Sequence, residues 1–178
     1  MKSVLISIRP EWCEKIASGK KTIEVRKTRP KCETPFRCYI YMTAGNAVYP
    51  VTINGNPYIC SNNGGKQVIG EFVCDRIITV DCDSVAPFDK ETHEYIDKET
   101  CLDRDALWEY THGCCAYGWH ISDLKIYDMP KELNNFKKIH VDCWYADLGL
   151  AKRDCLECRS VSCMLSKPPQ SWCYVEEV

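Results

Sequence analysis

The apolar positions of this chain come in short runs broken by polar, glycine and proline residues, a rhythm of strands more than of helices. Residues 4–8, VLISI, predict a short buried strand that meets Arg9 and Pro10. Pro10 suits the first position of a helix and Glu11 its first turn. Trp12 and Ile16 then share a helical face with Cys13 and Ala17 beside them, and Gly19 supplies a stop, so residues 10–18 predict a helix. GKKTIEVRK, residues 19–27, alternates like a second strand, and the aromatic and β-branched FRCYIYMT, residues 36–43, predicts a third. Asn54-Gly55 between two extended runs is a hairpin signal, because a tight primed turn needs positive φ at both central positions. SNNGGK, residues 61–66, predicts a loop, and residues 68–80 one long strand that bends near Gly70. Residues 102–111 predict a helix with Asp103 as N-cap and Gly113 as its stop. Residues 117–129 predict a strand pair or a bent strand, PKELNNF a loop or single turn, and SWCYV a last strand.

Six or seven strands, two helices and mostly short links favour an α+β mixed barrel, closed or nearly so, over a doubly wound sheet. A length of 178 residues suits one domain spanning 1–178, with 140–167 a cysteine-rich appendage inserted before the last strand. Hydrophobic content of 45% and charged content of 27% are those of an ordinary soluble protein. No apolar stretch is long enough to cross a bilayer, so no membrane partner and a cytoplasmic location are expected. In that compartment stable disulfides are not expected, and most of the fourteen cysteines read as small buried hydrophobes.

Net charge is −2 but uneven: residues 1–37 hold ten Lys or Arg against four Asp or Glu. A pI near 6.1 argues against a general coating for duplex DNA, yet it permits one local anion-binding face. The stretch 19–27 is the densest part of that basic segment. In a strand, Glu24 and Arg26 share a face while Ile23 and Val25 share the other, and Lys21 stands at the strand mouth. The bland expectation is an exposed charged face with a weak ion pair. The sharper one is two cations around a carboxylate beside a cleft, with Lys21 and Arg26 serving binding more than folding.

Gly19, Lys21, Glu24 and Arg26 stand as G-x-K-x-x-E-x-R, after a helix and opening a strand. In this the chain resembles the ASCH domain family, named for activating signal cointegrator homology. SIRPEWCEKIASG resembles that family's opening strand and helix, VIGEFVCDRI and YGWHIS its later strands, and PPQSWCYVEE the close of its phage and bacterial members. The resemblance covers about residues 1–130 and the final strand. It implies a PUA-like β-barrel with a cleft at the motif, and binding of RNA or nucleotides. Some members hydrolyse N4-acetylcytidine, with a motif lysine assisting a threonine nucleophile, and others are ribonucleases. Lys21 matches that lysine, but Glu24 stands at the threonine position and Thr22 is not its match.

Two functions follow. As a binding module for RNA or a modified nucleoside, the protein would use Lys21 and Arg26 on phosphate or a base edge and Glu24 on an exocyclic amine. Tyr39, Tyr41 and Trp119 would be stacking candidates, unless they are core. As a hydrolase, it would use Glu24 as base, with Lys21 or Arg26 stabilising an oxyanion; Glu71 and His120 are further candidates for the cleft. No cysteine has a local Cys–His signature of a nucleophile. Cys155 and Cys158, in C-x-x-C spacing, with Cys163 and Cys143, form a candidate structural zinc site in a segment lacking apolar periodicity. His140 and Cys173 are alternative fourth ligands, and a redox pair or plain packing is the alternative to metal.

Overall fold

The structure is a computed structural model that describes residues 3–44, 50–53, 55–59, 66–80, 90–139 and 164–178. Along the chain these form β1 (Ser3–Ile8), α1 (Pro10–Ala17), β2 (Ile23–Arg26), β3 (Phe36–Met42), β4 (Pro50–Ile53), β5 (Asn56–Ile59), β6 (Gln67–Cys74) and β7 (Ile77–Val80). There follow α2 (Lys90–Thr100), α3 (Arg104–Thr111), β8 (Ala116–His120), β9 (Ser122–Lys131), a 3₁₀ turn (Leu133–Asn135), β10 (Phe136–Lys138) and β11 (Trp172–Glu177).

The α+β class holds, but the described strands do not close into a barrel. They pair as a six-stranded sheet in the order β10-β11-β1-β3-β6-β9, a three-stranded sheet β2-β8-β7, and the hairpin β4-β5. In the large sheet β1 and β3 are parallel and the other pairs antiparallel. The long strand predicted over 68–80 is two strands in different sheets. Its break falls at Asp75 and Arg76, while near Gly70 the strand is only irregular in register. The break between β8 and β9 at Ile121 does the same in reverse. Two strands that change sheets leave two open layers instead of one closed wall.

One core lies between these layers: Val4, Ile6, Phe36, Ile40 and Phe72 from the large sheet, Cys13 and Ile16 from α1, and Trp119 from β8. On the large sheet's other face Leu5, Tyr39, Tyr41, Val68 and Phe136 make a second cluster. A third joins Val25, Val80 and Ala116 of the small sheet to Ile96 of α2 and Leu107 of α3. Alternation along each strand thus sends its two sets of apolar side chains into different clusters.

Helix α3 starts as predicted, with the Asp103 side chain accepting from the Ala106 N–H at 2.8 Å. Its end differs slightly: His112 takes the left-handed conformation at φ 56° ahead of Gly113. Helix α2 was not predicted, since it has little apolar periodicity to signal it. Cys13, Cys38 and Cys74 are buried, but Cys32, Cys101 and Cys173 are half-buried and Cys114 and Cys115 exposed, so most of the described cysteines are not the buried hydrophobes expected. Cys115 is disulfide-bonded where no stable disulfide was expected. Cys143, Cys155, Cys158 and Cys163, the candidate zinc ligands, and His140 lie outside the described residues. No group of potential metal ligands occurs among the described ones.

Candidate functional site

Gly19, at φ 71°, ends α1 with its N–H on the Ile16 carbonyl, and the Lys20 and Lys21 N–H groups both reach the Lys15 carbonyl. The chain then enters β2 against the end of α2: the Thr22 N–H donates to the Glu99 carbonyl, and the Thr22 hydroxyl to the Glu99 carboxylate. This contact delivers Lys21 to the C-terminal end of α2, where its ammonium donates to the Thr100 carbonyl at 2.6 Å. A cation is well placed there, among the unpaired carbonyls at the negative end of a helix.

Glu24 lies beside it. Its Oε2 is 3.6 Å from Lys21 Nζ and its Oε1 is 3.0 Å from an Arg26 terminal nitrogen. The same nitrogen donates to the Ser7 carbonyl at 2.6 Å, tying β2 to the end of β1. The side chains of Lys21, Glu24 and Arg26 are only 2%, 7% and 12% exposed. The expectation of an exposed strand face therefore fails: β2 is covered on both sides, and the charges form a buried cluster. Two of its polar atoms, Glu24 Oε2 and Arg26 Nε, have no hydrogen-bond partner among the described residues. Burial lowers the Lys21 pKa below its ordinary 10.5, and the neighbouring Glu24 carboxylate only partly opposes the shift.

The cluster forms part of the wall of a cleft of about 890 Å³. Ser7, Ile8, Arg9 and Trp12 line it from the β1–α1 junction, Glu24 to Thr28 from β2 and its continuation, and Ala106, Glu109, Tyr110 and His112 from α3 and its end. Lys21 Nζ lies 5.0 Å from the centre of the Trp12 ring. Cations, two carboxylates (Glu24 and Glu109) and two aromatic rings thus face one concave space of ligand-site size.

Of the sequence-predicted residues, Lys21, Glu24 and Arg26 meet in this cleft, and Tyr41, Glu71 and Trp119 do not line it. Trp119 is fully enclosed, packed edge-on against Phe36 and Trp172, so it presents no face for stacking. Tyr39 and Tyr41 are buried in the cluster on the far face of the large sheet. Glu71 accepts from the Tyr127 hydroxyl at 2.6 Å and lies 3.9 Å from Arg37. These four are packing and network residues: Tyr39, Tyr41 and Glu71 lie on the far face of the large sheet, whereas Trp119 shares the face of its ladder partner Glu24 but is enclosed by Phe36 and Trp172. His120 pairs through Nδ1 with Asp75 at 2.6 Å and is likewise absent from the lining. The aromatics that do line the cleft, Trp12 and Tyr110, stand on helices, and neither is among the stacking candidates that the strands offered.

A family model described as the ASCH domain matches residues 6–113. The chain belongs to the ASCH domain family. Three solved structures of ASCH from Zymomonas mobilis share its fold. A tyrosine-to-phenylalanine mutant has a TM-score of 0.54 at 21% identity, covering 99% of this chain and 91% of that one. A serine-to-alanine mutant has a TM-score of 0.57 at 22% identity, with 98% and 89% covered. The unsubstituted protein has a TM-score of 0.53 at 22% identity, with 98% and 88% covered. No curated protein matches the chain. The resemblance to the ASCH family thus holds at the level of family and fold, without, among the described strands, the closed barrel that it implied. Among the described residues no helix is long and apolar enough to cross a membrane.

Proposed function

We propose that this ASCH domain binds RNA, taking a nucleoside unit into the cleft beside Lys21, Glu24 and Arg26. The observation that carries the reading is the incompletely paired charge cluster in the cleft wall. Buried polar groups normally find partners, and an unsatisfied one is costly. Glu24 Oε2, 3.6 Å from the Lys21 ammonium, and Arg26 Nε offer an acceptor and a donor on neighbouring members of the cluster. A base edge with an exocyclic amine next to a ring acceptor complements that pair after a small side-chain rotation. Trp12 and Tyr110 supply faces for stacking, and Lys27 and Arg9 positive charge at the mouth.

A hydrolase is the second reading. It rests on Lys21, whose lowered pKa and proximity to Glu24 suit proton transfer. The threonine-based route has less support, since the Thr22 hydroxyl is engaged with Glu99 and Thr22 does not line the cleft.

The test is titration of nucleosides, nucleoside monophosphates and short RNAs followed by backbone NMR, with N4-acetylcytidine and RNA turnover assayed in parallel. Binding with shifts at Trp12, Lys21 and Tyr110 and no product supports the first reading, and product formation abolished by Glu24→Gln supports the second. Trp12→Ala should weaken binding by about 1–3 kcal/mol if its ring stacks on a base. Shifts confined to other surfaces would defeat both.

A further inference from the structure

The cations at one rim of the cleft are seated on aromatic rings. Lys27 Nζ lies 5.2 Å from the centre of the Tyr110 ring, and the Arg29 guanidinium carbon 5.4 Å from that of Tyr117. Lys27 and Tyr110 line the cleft, whereas Arg29 is exposed beyond it. Tyr117 is the ladder partner of Arg26 on β8, so Arg29 extends the line of positive charge that begins at the cleft wall.

The short segment carrying these cations is also held in place. The Thr28 hydroxyl accepts from the Trp172 indole N–H at 3.0 Å, and the Lys31 N–H donates to the Tyr174 hydroxyl at 2.8 Å. Both anchors are on β11, and Pro30 between them is buried. A merely solvated surface accounts for exposed cations. It does not account for a segment pinned at two points with successive cations laid over rings. A fixed row of cations beside stacking faces is the arrangement that tracks a single strand.

We infer that the ligand is a segment of single-stranded RNA and not a free nucleoside, with one unit in the cleft and its flanking phosphates running over Lys27 and Arg29. The inference rests on the cleft reading proposed above. A duplex does not fit it, because a paired and stacked base cannot enter a concave pocket. An acidic peptide would satisfy the cations but leave Trp12 and Tyr110 without flat partners.

The experiment measures binding of labelled RNA octamers, one of each base, by anisotropy over a range of salt, and of the four nucleosides and their 5′-monophosphates by competition. At least one octamer should bind tenfold or more tightly than its monophosphate. Arg29→Ala should weaken that octamer several-fold and reduce the slope of log affinity against log salt by about 0.7, the value for one phosphate contact on a single strand. It should leave the corresponding nucleoside, which carries no phosphate, unchanged, and Arg29→Lys should keep the slope. Equal binding of octamer and monophosphate, with Arg29→Ala silent, overturns the strand path while the cleft reading stands. If neither class of probe binds, the cleft reading itself fails and takes the path with it. A blunt RNA duplex or hexaglutamate that displaces the octamer as well as unlabelled single strand does also overturns the inference.

Discussion

Arg26 has two structural duties, on Glu24 and on the Ser7 carbonyl, before any ligand arrives. Truncating one partner of a buried ion pair leaves the other charge uncompensated, so Arg26→Ala should destabilise the fold by about 3–5 kcal/mol in urea melts. For Arg26 this prediction runs against the sequence-based expectation that the motif cations beside a cleft serve binding more than folding. Unchanged melts would show that Glu24 is relieved some other way. Lys21 gives a pH signature. Its folded-state pKa lies below 10.5, so between those two values the unfolded chain holds a proton that the folded chain has released. Stability from this group therefore rises with pH across that window. Lys21→Met should remove the rise, read as the difference between wild-type and variant urea midpoints as the pH is raised through the alkaline range up to 10.5. Tyrosines buried elsewhere titrate in both proteins and cancel in that difference.

At the scale of elements, the register between β2, β8 and β7 decides where the motif points, and one glycine permits it. A Cβ on Gly118 would come within 2.7 Å of an Ile23 methyl and 3.0 Å of Ile78. Gly118→Ala should cost about 1–3 kcal/mol through overpacking, measured by thermal melt, and should weaken ligand binding with it because Ile23 is the first residue of β2. Asp103→Ala removes the N-cap of α3 and should cost about 1 kcal/mol. Because α3 carries Tyr110 into the cleft, that variant should loosen binding more than it loosens the distant large sheet, as hydrogen exchange of the two elements will report.

For the molecule as a whole, two open layers with helices α2 and α3 behind the small sheet place the cleft where β1, α1, β2 and α3 converge. Residues from Ser7 to Ser171 line it, so it exists only when the chain has closed on itself. The cysteine-rich segment makes a separate prediction. If Cys143, Cys155, Cys158 and Cys163 hold a structural zinc, protein purified without chelator should contain close to one zinc per chain by elemental analysis. Cys155→Ser or Cys158→Ser should abolish it, and Cys13→Ser, in the core, should not. Zinc-free protein at every step of purification would leave these cysteines to packing or disulfide chemistry.

Local chemistry determined much of this protein. Pro10 and Gly19 bound α1, Asp103 starts α3, Gly55 turns the β4–β5 hairpin, and alternation marks β1, β3 and β11. These features depend on neighbours a few residues apart, so a linear reading contains them. The spacing of Lys21, Glu24 and Arg26 likewise announced the charge cluster of the candidate site. What the linear order did not contain was whatever depended on distant partners. Helix α2 has scant apolar periodicity of its own, yet it supplies the Thr100 carbonyl for Lys21 and the Glu99 contacts for Thr22. Strand parity placed Trp119 and Tyr41 on definite faces, but only the packing of a second layer made those faces core. The same packing buried Glu24 and Arg26, because whether a strand face meets solvent or another layer is decided by the chain arriving from elsewhere.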